Sequence, residues 1–350
     1  MDKEIKIGEK RIGVDNPCFV IAEAGVNHNG DLKKALELVS IANKAGADAV
    51  KFQLFNVDEQ VSKYAENAPY QRKGSGKKAM AKMAMSYDFP WEKHKHITEH
   101  CNKIGIMYMS SCFDPLAVDF LISKLGGSCI KVGSGELTNY PLLRCMSRTG
   151  KPILLSTGMS TLDDVRGAVA QIQSNGTSPL VLMHCVSNYP APKEEINLRA
   201  MKTLETEFNL PVGYSDHTEG NYAAIIAVAL GAKVIEKHFT IDKSLPGPDH
   251  AMSLDPKELE DFVKAIRETE KILGDGIKRP TEAEKEMQIY ARRSVVSSKP
   301  IQTGEKLDDN NITLKRPATG IDPRSMDKII GKTAIVDIPA DKPITFDMLQ

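Results

Sequence analysis

Cys18-Phe19-Val20-Ile21-Ala22-Glu23-Ala24-Gly25-Val26-Asn27-His28 is an apolar run that stops at a carboxylate. As the first strand of an open doubly wound sheet it should be followed by a glycine-rich phosphate loop, and Glu23 to His28 is not one. Further short apolar runs lie at 49–55, 106–111, 129–133, 152–157, 180–186, 211–215 and 233–240, with amphipathic stretches between them. Eight such βα repeats between Pro17 and Gly274 predict a parallel sheet closed into a (β/α)8 barrel. The helices carry their own punctuation. Asp31 caps a stripe of Leu32, Ala35, Leu36, Val39 and Ala42 that Gly46 ends, and Asp255-Pro256 opens a stripe from Leu259 to Leu273 that Gly274 ends.

Beyond Gly274 the pattern changes. A polar linker, 275–293, leads to short apolar runs broken by Gly, Pro and Asp over 294–350, so the expected organisation is a barrel domain at 1–274 and a small second domain at 294–350. The second domain contains an echo, in which Ile301-Gly304-Leu307 resembles Ile338-Asp341-Ile344, as expected of two similar β-turn units packed together. A tail of this length has little core of its own and is expected to lean on another surface.

Bulk properties exclude several functions. The 350 residues carry 46 basic and 46 acidic side chains, so no broad positive field exists to hold nucleic acid or an anionic membrane. No stretch approaches the ~18 apolar residues of a membrane span, and the charged first 13 residues do not read as a signal peptide, so a cytoplasmic location is expected. Six cysteines without a C-x-x-C pair suit reduced, mostly buried thiols better than disulfides or structural zinc.

A barrel carries its active site at the carboxyl ends of its strands, and there polar residues gather. Glu23 closes the first run, Lys51 and Gln53 the second, Ser110 and Ser111 the third, Lys131, Ser134 and Glu136 the fourth, Ser156 and Thr157 the fifth, His184 and Ser187 the sixth, Ser215, Asp216 and His217 the seventh, and Glu236 and His238 the eighth. Residues two apart share a face, so Lys51 with Gln53, Ser215 with His217, and Glu236 with His238 are expected to point inward. Lys131 is out of phase with Ser134 and Glu136, and Gly133 and Gly135 leave that segment's pleating open.

His217 and His238 end successive strands, where two neutral imidazoles suit a divalent metal, although either alone also reads as a hydrogen-bonded core histidine. Glu23 is open between a structural salt bridge and acid-base work. Lys51 and Lys131 with Ser111, Ser134, Ser156 and Ser215 around one mouth would form a cradle for phosphate and carboxylate oxygens. His94, His96 and His100 are expected on the solvated face of an outer helix. The loop from Ser244 to His250 reads as a stiff connection or a lid edge.

Ile21-Ala22-Glu23-Ala24-Gly25-Val26-Asn27-His28, Val50-Lys51-Phe52-Gln53, Lys131-Val132-Gly133-Ser134-Gly135-Glu136, Leu155-Ser156-Thr157-Gly158-Met159, Gly213-Tyr214-Ser215-Asp216-His217-Thr218, Glu236-Lys237-His238-Phe239-Thr240 and Pro246-Gly247-Pro248-Asp249 together resemble the bacterial sialic acid synthases, including the legionaminic acid branch. Leu314-Lys315-Arg316-Pro317 in the tail resembles their antifreeze-like (SAF) domain.

The resemblance implies a metal-dependent enzyme that condenses phosphoenolpyruvate with an N-acetylmannosamine-type amino sugar aldehyde and water, giving a nine-carbon 2-keto acid and phosphate. It implies Mn2+, with Mg2+ or Co2+ as substitutes, on His217 and His238. It places phosphoenolpyruvate on Lys51, Ser111, Lys131, Ser134, Ser156, Ser187 and Ser215, and sugar contacts on Gln53, Tyr189, Asp249 and Arg316. Glu23 matches the family's essential carboxylate, with Glu136 near it as a further catalytic candidate. Arg316 matches an arginine that, in related domain-swapped homodimers, reaches into the partner's barrel.

The sugar stays open between N-acetylmannosamine, its 6-phosphate and the deoxy diacetamido sugars of N,N'-diacetyllegionaminate or pseudaminate synthases. Another phosphoenolpyruvate-condensing barrel would share the cradle but lack the tail. A non-catalytic sugar-binding or ice-associated module is opposed by the filled strand ends.

Overall fold

The computed structural model describes residues 4–13, 16–56, 60, 62 and 89–350. A short hairpin, β1 (Ile5–Ile7) and β2 (Lys10–Ile12), precedes eight strands: β3 (Phe19–Gly25), β4 (Ala49–Leu54), β5 (Met107–Cys112), β6 (Ile130–Val132), β7 (Ile153–Ser156), β8 (Leu180–Cys185), β9 (Val212–Asp216) and β10 (Val234–His238). These pair in parallel in chain order, and β10 closes onto β3, completing the barrel that the eight apolar runs predict.

Among the described residues the helices are α1 (Leu32–Lys44), α2 (Trp91–Ile104), α3 (Pro115–Asp119), α4 (Tyr140–Ser147), α5 (Leu162–Asn175), α6 (Ala200–Phe208), α7 (Tyr222–Ala229) and α8 (Pro256–Leu273) in the barrel unit, then α9 (Glu282–Ala291). The end signals act as read. Asp31 accepts from the Lys33 N–H at 2.8 Å, and Asp255 and Glu258 form a reciprocal capping box on α8.

The barrel wall separates two cores. Phe19, Ile21, Ala49, Met109, Cys129, Leu154, Val181, Met183 and Val234 fill the interior, joined by Ile5, Ile7 and Ile12 of the hairpin, which plugs the amino ends of the strands. The alternate positions, such as Val20, Ala22, Val50, Phe52, Ile130, Leu155, Leu182 and Ile235, pack outward against the helices. Each fully buried large apolar side chain is worth roughly 1.5–3 kcal/mol, so strand parity is strongly specified wherever both faces are covered.

The chain divides into two compact units, Met1–Gly274 and Asp275–Gln350. In the second, α9 stands in the segment read as a polar linker, capped by Thr281 and Glu284 and with no buried side chain. Strands β11 (Ser294–Ser297) and β12 (Ile312–Lys315) pair antiparallel. The echo noted in the sequence is structural: Ile301 bridges Ile338, and Gly304 and Asp341 both take positive φ, +91° and +67°. Ile301, Leu307, Ile338 and Ile344 meet in one cluster with Val295, Ile312, Ile321 and Ile329, so this unit has a core of its own, more than its length led us to expect. No described helix is long and apolar enough to cross a membrane.

Candidate active site

Interior parity, continued one step toward the carboxyl ends, decides what the barrel mouth presents. Glu23 follows Ile21, Lys51 follows Ala49, Ser111 follows Met109, Lys131 follows Cys129, Ser156 follows Leu154, Cys185 follows Met183 and Glu236 follows Val234. On β9, Ser215 stands in register with both Cys185 and Glu236. The eight form a polar ring, and none is more than 5 % exposed.

Four charges pair within the ring. Lys51 Nζ lies 2.6 Å from Glu23 Oε2 and 3.8 Å from Glu236 Oε2, and Lys131 Nζ lies 3.3 Å from Glu236 Oε1. Each ammonium also donates to a serine, Lys51 to Ser111 at 2.9 Å and Lys131 to Ser156 at 2.8 Å, while Ser215 donates to Glu236 at 3.1 Å. Burial alone would lower the Lys51 ammonium, but the flanking Glu23 and Glu236 outweigh it and hold the group charged.

The two carboxylates are driven apart. Burial would raise Glu236, yet Lys131 and Lys51 outweigh it and leave it at about 2. Burial dominates at Glu23, which has the single short contact to Lys51 against it, and pushes it up to about 7. Glu23 is therefore the carboxyl suited to exchange a proton near neutral pH, while Glu236 stays ionised as a counter-charge. Glu236 had been seen as a strand-end residue without a role, and its position between two lysines supplies one.

Gln53 donates to Glu23 Oε1 at 3.4 Å. Between Glu23 and Gly25 the register shifts by a bulge, and Gly25 takes φ +51°; a Cβ there would lie 3.3 Å from Glu23 Oε1 and 3.5 Å from His238 Cε1. The chain thus turns tightly over the reactive carboxyl, where glycine is the residue that fits.

His217 and His238 sit side by side, with ring centroids 6.0 Å apart. His217 Nδ1 donates to the Val186 carbonyl at 2.7 Å, which leaves Nε2 with its lone pair toward the mouth, where it meets the Tyr189 hydroxyl at 3.0 Å. His238 Nδ1 is buried without a hydrogen-bond partner among the described residues. Burial lowers His217 to about 4 and holds His238 well below the ordinary imidazole value, so both rings are neutral at physiological pH. An oriented, neutral imidazole beside an orphaned buried ring nitrogen fits a divalent cation. Among the described residues no group of three His, Cys, Asp or Glu is arranged around a common metal position, so remaining ligands would be water and substrate oxygens.

The fourth strand's ambiguous phase has a simple cause. β6 ends at Val132, and a 3-10 turn, Ser134–Glu136, resets the direction. Ser134 Oγ then lies 3.0 Å from Cys185 Sγ and accepts from the Gly158 N–H at 3.1 Å. A Cβ on Gly158 would approach Ser187 Oγ to 2.3 Å, so Ser134, Ser187 and Cys185 crowd one glycine backbone, a cradle of hydroxyls and an N–H suited to anion oxygens.

Other candidates are placed apart from this ring. Glu136 is half-buried and accepts from Asn139 at 2.7 Å. Asp249 is half-buried in the loop after β10, where burial raises it to about 6. That loop is tied down, with Asn29 donating to the Pro246 carbonyl at 3.0 Å and meeting His250 at 3.1 Å. Arg316 is exposed on the small unit.

Two expectations need correction. On the sixth strand the mouth residue is Cys185; His184 faces the helices, its Nε2 donating to the Ile196 carbonyl at 2.7 Å. His94 is fully buried, its Nδ1 2.8 Å from the Tyr108 hydroxyl, because it falls on the stripe of α2 with Ile97 and Cys101.

Comparison with known proteins shows the family and the fold. Residues 38–278 match the NeuB family and 292–350 match the SAF domain. The chain is 43 % identical over 348 residues to an N,N'-diacetyllegionaminic acid synthase of Legionella pneumophila, covering 98 % of each chain. It is 43 % identical over 329 residues to the Campylobacter jejuni protein of the same description, covering 93 % of this chain and 98 % of that one. The crystal structure of an N-acetylneuraminic acid (sialic acid) synthetase from Leptospira borgpetersenii in complex with citrate is similar at 34 % identity and a TM-score of 0.74, over 82 % of this chain and 95 % of that chain.

Proposed function

The chain belongs to the NeuB family and carries a SAF domain, and from that premise we propose that it condenses phosphoenolpyruvate with an amino sugar aldehyde to give a nine-carbon 2-keto acid and phosphate. The observation that carries the reading is the mouth itself, where Lys51 and Lys131 each hold a serine hydroxyl and Glu23, raised to about 7, lies against Lys51.

Lys131, Ser156, Ser134, Ser187 and Ser215 take the phosphate, with the Gly158 N–H behind them, and Lys51 with Ser111 takes the carboxylate. A divalent cation on His217 and His238, Mn2+ first and Mg2+ or Co2+ as substitutes, would supply Lewis-acid polarisation of the sugar carbonyl oxygen. The enol carbon then forms the new C–C bond, and the positive charge left at the phosphate-bearing carbon faces Glu23. Glu23 takes one proton of the water that adds there, and the former aldehyde oxygen takes up a proton to become a hydroxyl. Phosphate leaves with the electron pair of its C–O bond and the added hydroxyl's proton, which leaves the keto group. Gln53, Tyr189 and Asp249 face the sugar in this reading, and Arg316 reaches the mouth from the partner chain of a domain-swapped homodimer.

Similarity to two N,N'-diacetyllegionaminic acid synthases favours a deoxy diacetamido sugar over N-acetylmannosamine. Phosphate release from phosphoenolpyruvate, measured with each amino sugar in turn, tests both levels. A sugar-dependent release supports the reaction and identifies the sugar, and no release with any amino sugar in the presence of Mn2+ overturns it.

A further inference from the structure

We infer that Cys185 is a positioning residue of the anion subsite and acts through Ser134, an inference that rests on the reading of that subsite as the phosphate cradle. Val181 and Met183 fix the parity of β8, so the next inward side chain is the thiol, in register with Ser215. It is the sole member of the ring that is neither charged nor a hydroxyl, and it packs with Ser134 and Ser187 against the backbone of Gly158. Its sulfur lies 3.0 Å from Ser134 Oγ, and a Cβ on Gly158 would stand 2.9 Å from it.

The hydrogen-bond inventory gives the thiol its task. Ser134 Oγ already accepts from Gly158 N–H, so it has one proton and one further lone pair to place. Without an anion, the Ser134 O–H donates to Cys185 Sγ. With an anion oxygen in the cradle, the O–H turns to it and the S–H donates to Ser134 Oγ instead. The thiol keeps the hydroxyl paired in both arrangements and so lowers the cost of aiming it at phosphate. A nucleophilic role does not fit, because the neighbouring imidazole of His184 faces the helices and is held by the Ile196 carbonyl.

The test compares Cys185→Ala, Cys185→Ser, Ser134→Ala and the Ser134→Ala/Cys185→Ala pair in the full chain with Mn2+. Loss of one such hydrogen bond is expected to raise the KM for phosphoenolpyruvate in Cys185→Ala by roughly 3- to 10-fold, with kcat changed by less than about threefold. Cys185→Ser, which can still donate and accept, recovers most of the loss. In the Ser134→Ala background the cysteine substitution adds nothing further. Binding of inorganic phosphate by calorimetry weakens by the same factor and needs no turnover. Unchanged phosphate affinity and KM in Cys185→Ala, or a full additional loss in the double variant, overturns the inference. If the wild type releases no phosphate from phosphoenolpyruvate, the proposed reaction falls, and phosphate calorimetry still decides the role of Cys185.

Discussion

Glu23 and Glu236 share one ammonium: Lys51 Nζ lies 2.6 Å from the first and 3.8 Å from the second, across the seam where β10 closes onto β3. A second ammonium, Lys131, makes its ion pair with Glu236. This asymmetry, more than burial, separates the two carboxyls, since all four groups are equally enclosed. Glu23→Gln keeps the shape and removes the proton-accepting group. We expect a folded enzyme with turnover lowered by roughly 100-fold or more, the usual worth of an acid-base group. Near-normal phosphate release by a variant with wild-type melting behaviour would return Glu23 to a structural role.

With Glu23 ionised the same four charges cancel, so the mouth by itself then offers little net field to a multiply charged anion. A cation on His217 and His238 changes that balance. Phosphoenolpyruvate should bind roughly tenfold more tightly with Mn2+ present, and by reciprocity Mn2+ should bind more tightly with phosphoenolpyruvate present. Chelation is expected to abolish turnover and Mn2+ to restore it. Calorimetry measures both affinities, and full activity of the His217→Ala/His238→Ala pair in rigorously metal-free protein would sink the metal reading.

His94 gives a pH prediction remote from the mouth. Burial lowers its imidazole to about 3, beside Phe89, Phe52 and Tyr108. Between the unfolded value near 6.5 and about 3 the unfolded chain binds a proton that the folded chain refuses. Stability from this group is therefore intact above pH 6.5 and is lost as pH falls, by at most about 1.4 kcal/mol per pH unit. His28, lowered to about 4 by burial, adds in the same direction. Urea denaturation from pH 7 to 4.5 should show this slope, and His94→Gln should reduce it by about one proton. An unchanged slope in His94→Gln places the acid sensitivity elsewhere.

Which parts of the site were legible follows from strand regularity. On β10 the pair Glu236 and His238 keeps period two to the strand's end, and His217, one residue past β9, still falls on the side of Ser215, so residue spacing alone faces both pairs correctly. On β8, Leu180-Val181-Leu182-Met183 is apolar on both faces, and parity cannot be read until it is known which alternate set enters the interior. His184 then looked like the polar strand end, and Cys185 was passed over as one more buried thiol. For Ser134 the obstacle was the 3-10 turn that interrupts pleating after Val132. The burial of His94 was readable, because 94, 97 and 101 are helically spaced, but its polarity drew the opposite reading. The core of the second unit was hidden by its short runs, although the Ile301 and Ile338 echo pointed to it.

The final prediction concerns Arg316, exposed on a unit that is compact in its own right. The first part of that unit includes α9, which buries none of its side chains, and Ile277, Met287 and Tyr290 are exposed along it. Exchange of the small unit between two chains would cover such surface and give a closed twofold dimer. In that arrangement Arg316 reaches the partner's mouth and holds a sugar hydroxyl or amide carbonyl, so Arg316→Ala should chiefly raise the KM for the sugar, with a smaller effect on phosphoenolpyruvate. Mixing decides whether the exchange occurs. Arg316→Ala chains and Glu23→Gln chains, each with little activity at sugar concentrations well below the raised KM, are combined at such a concentration under conditions that allow subunit exchange. If the small units swap, a mixed dimer contains one barrel with Glu23 intact that receives Arg316 from its partner, and activity reappears. If each small unit serves its own barrel, every site keeps one lesion, and the mixture stays inactive even where mass spectrometry shows mixed dimers.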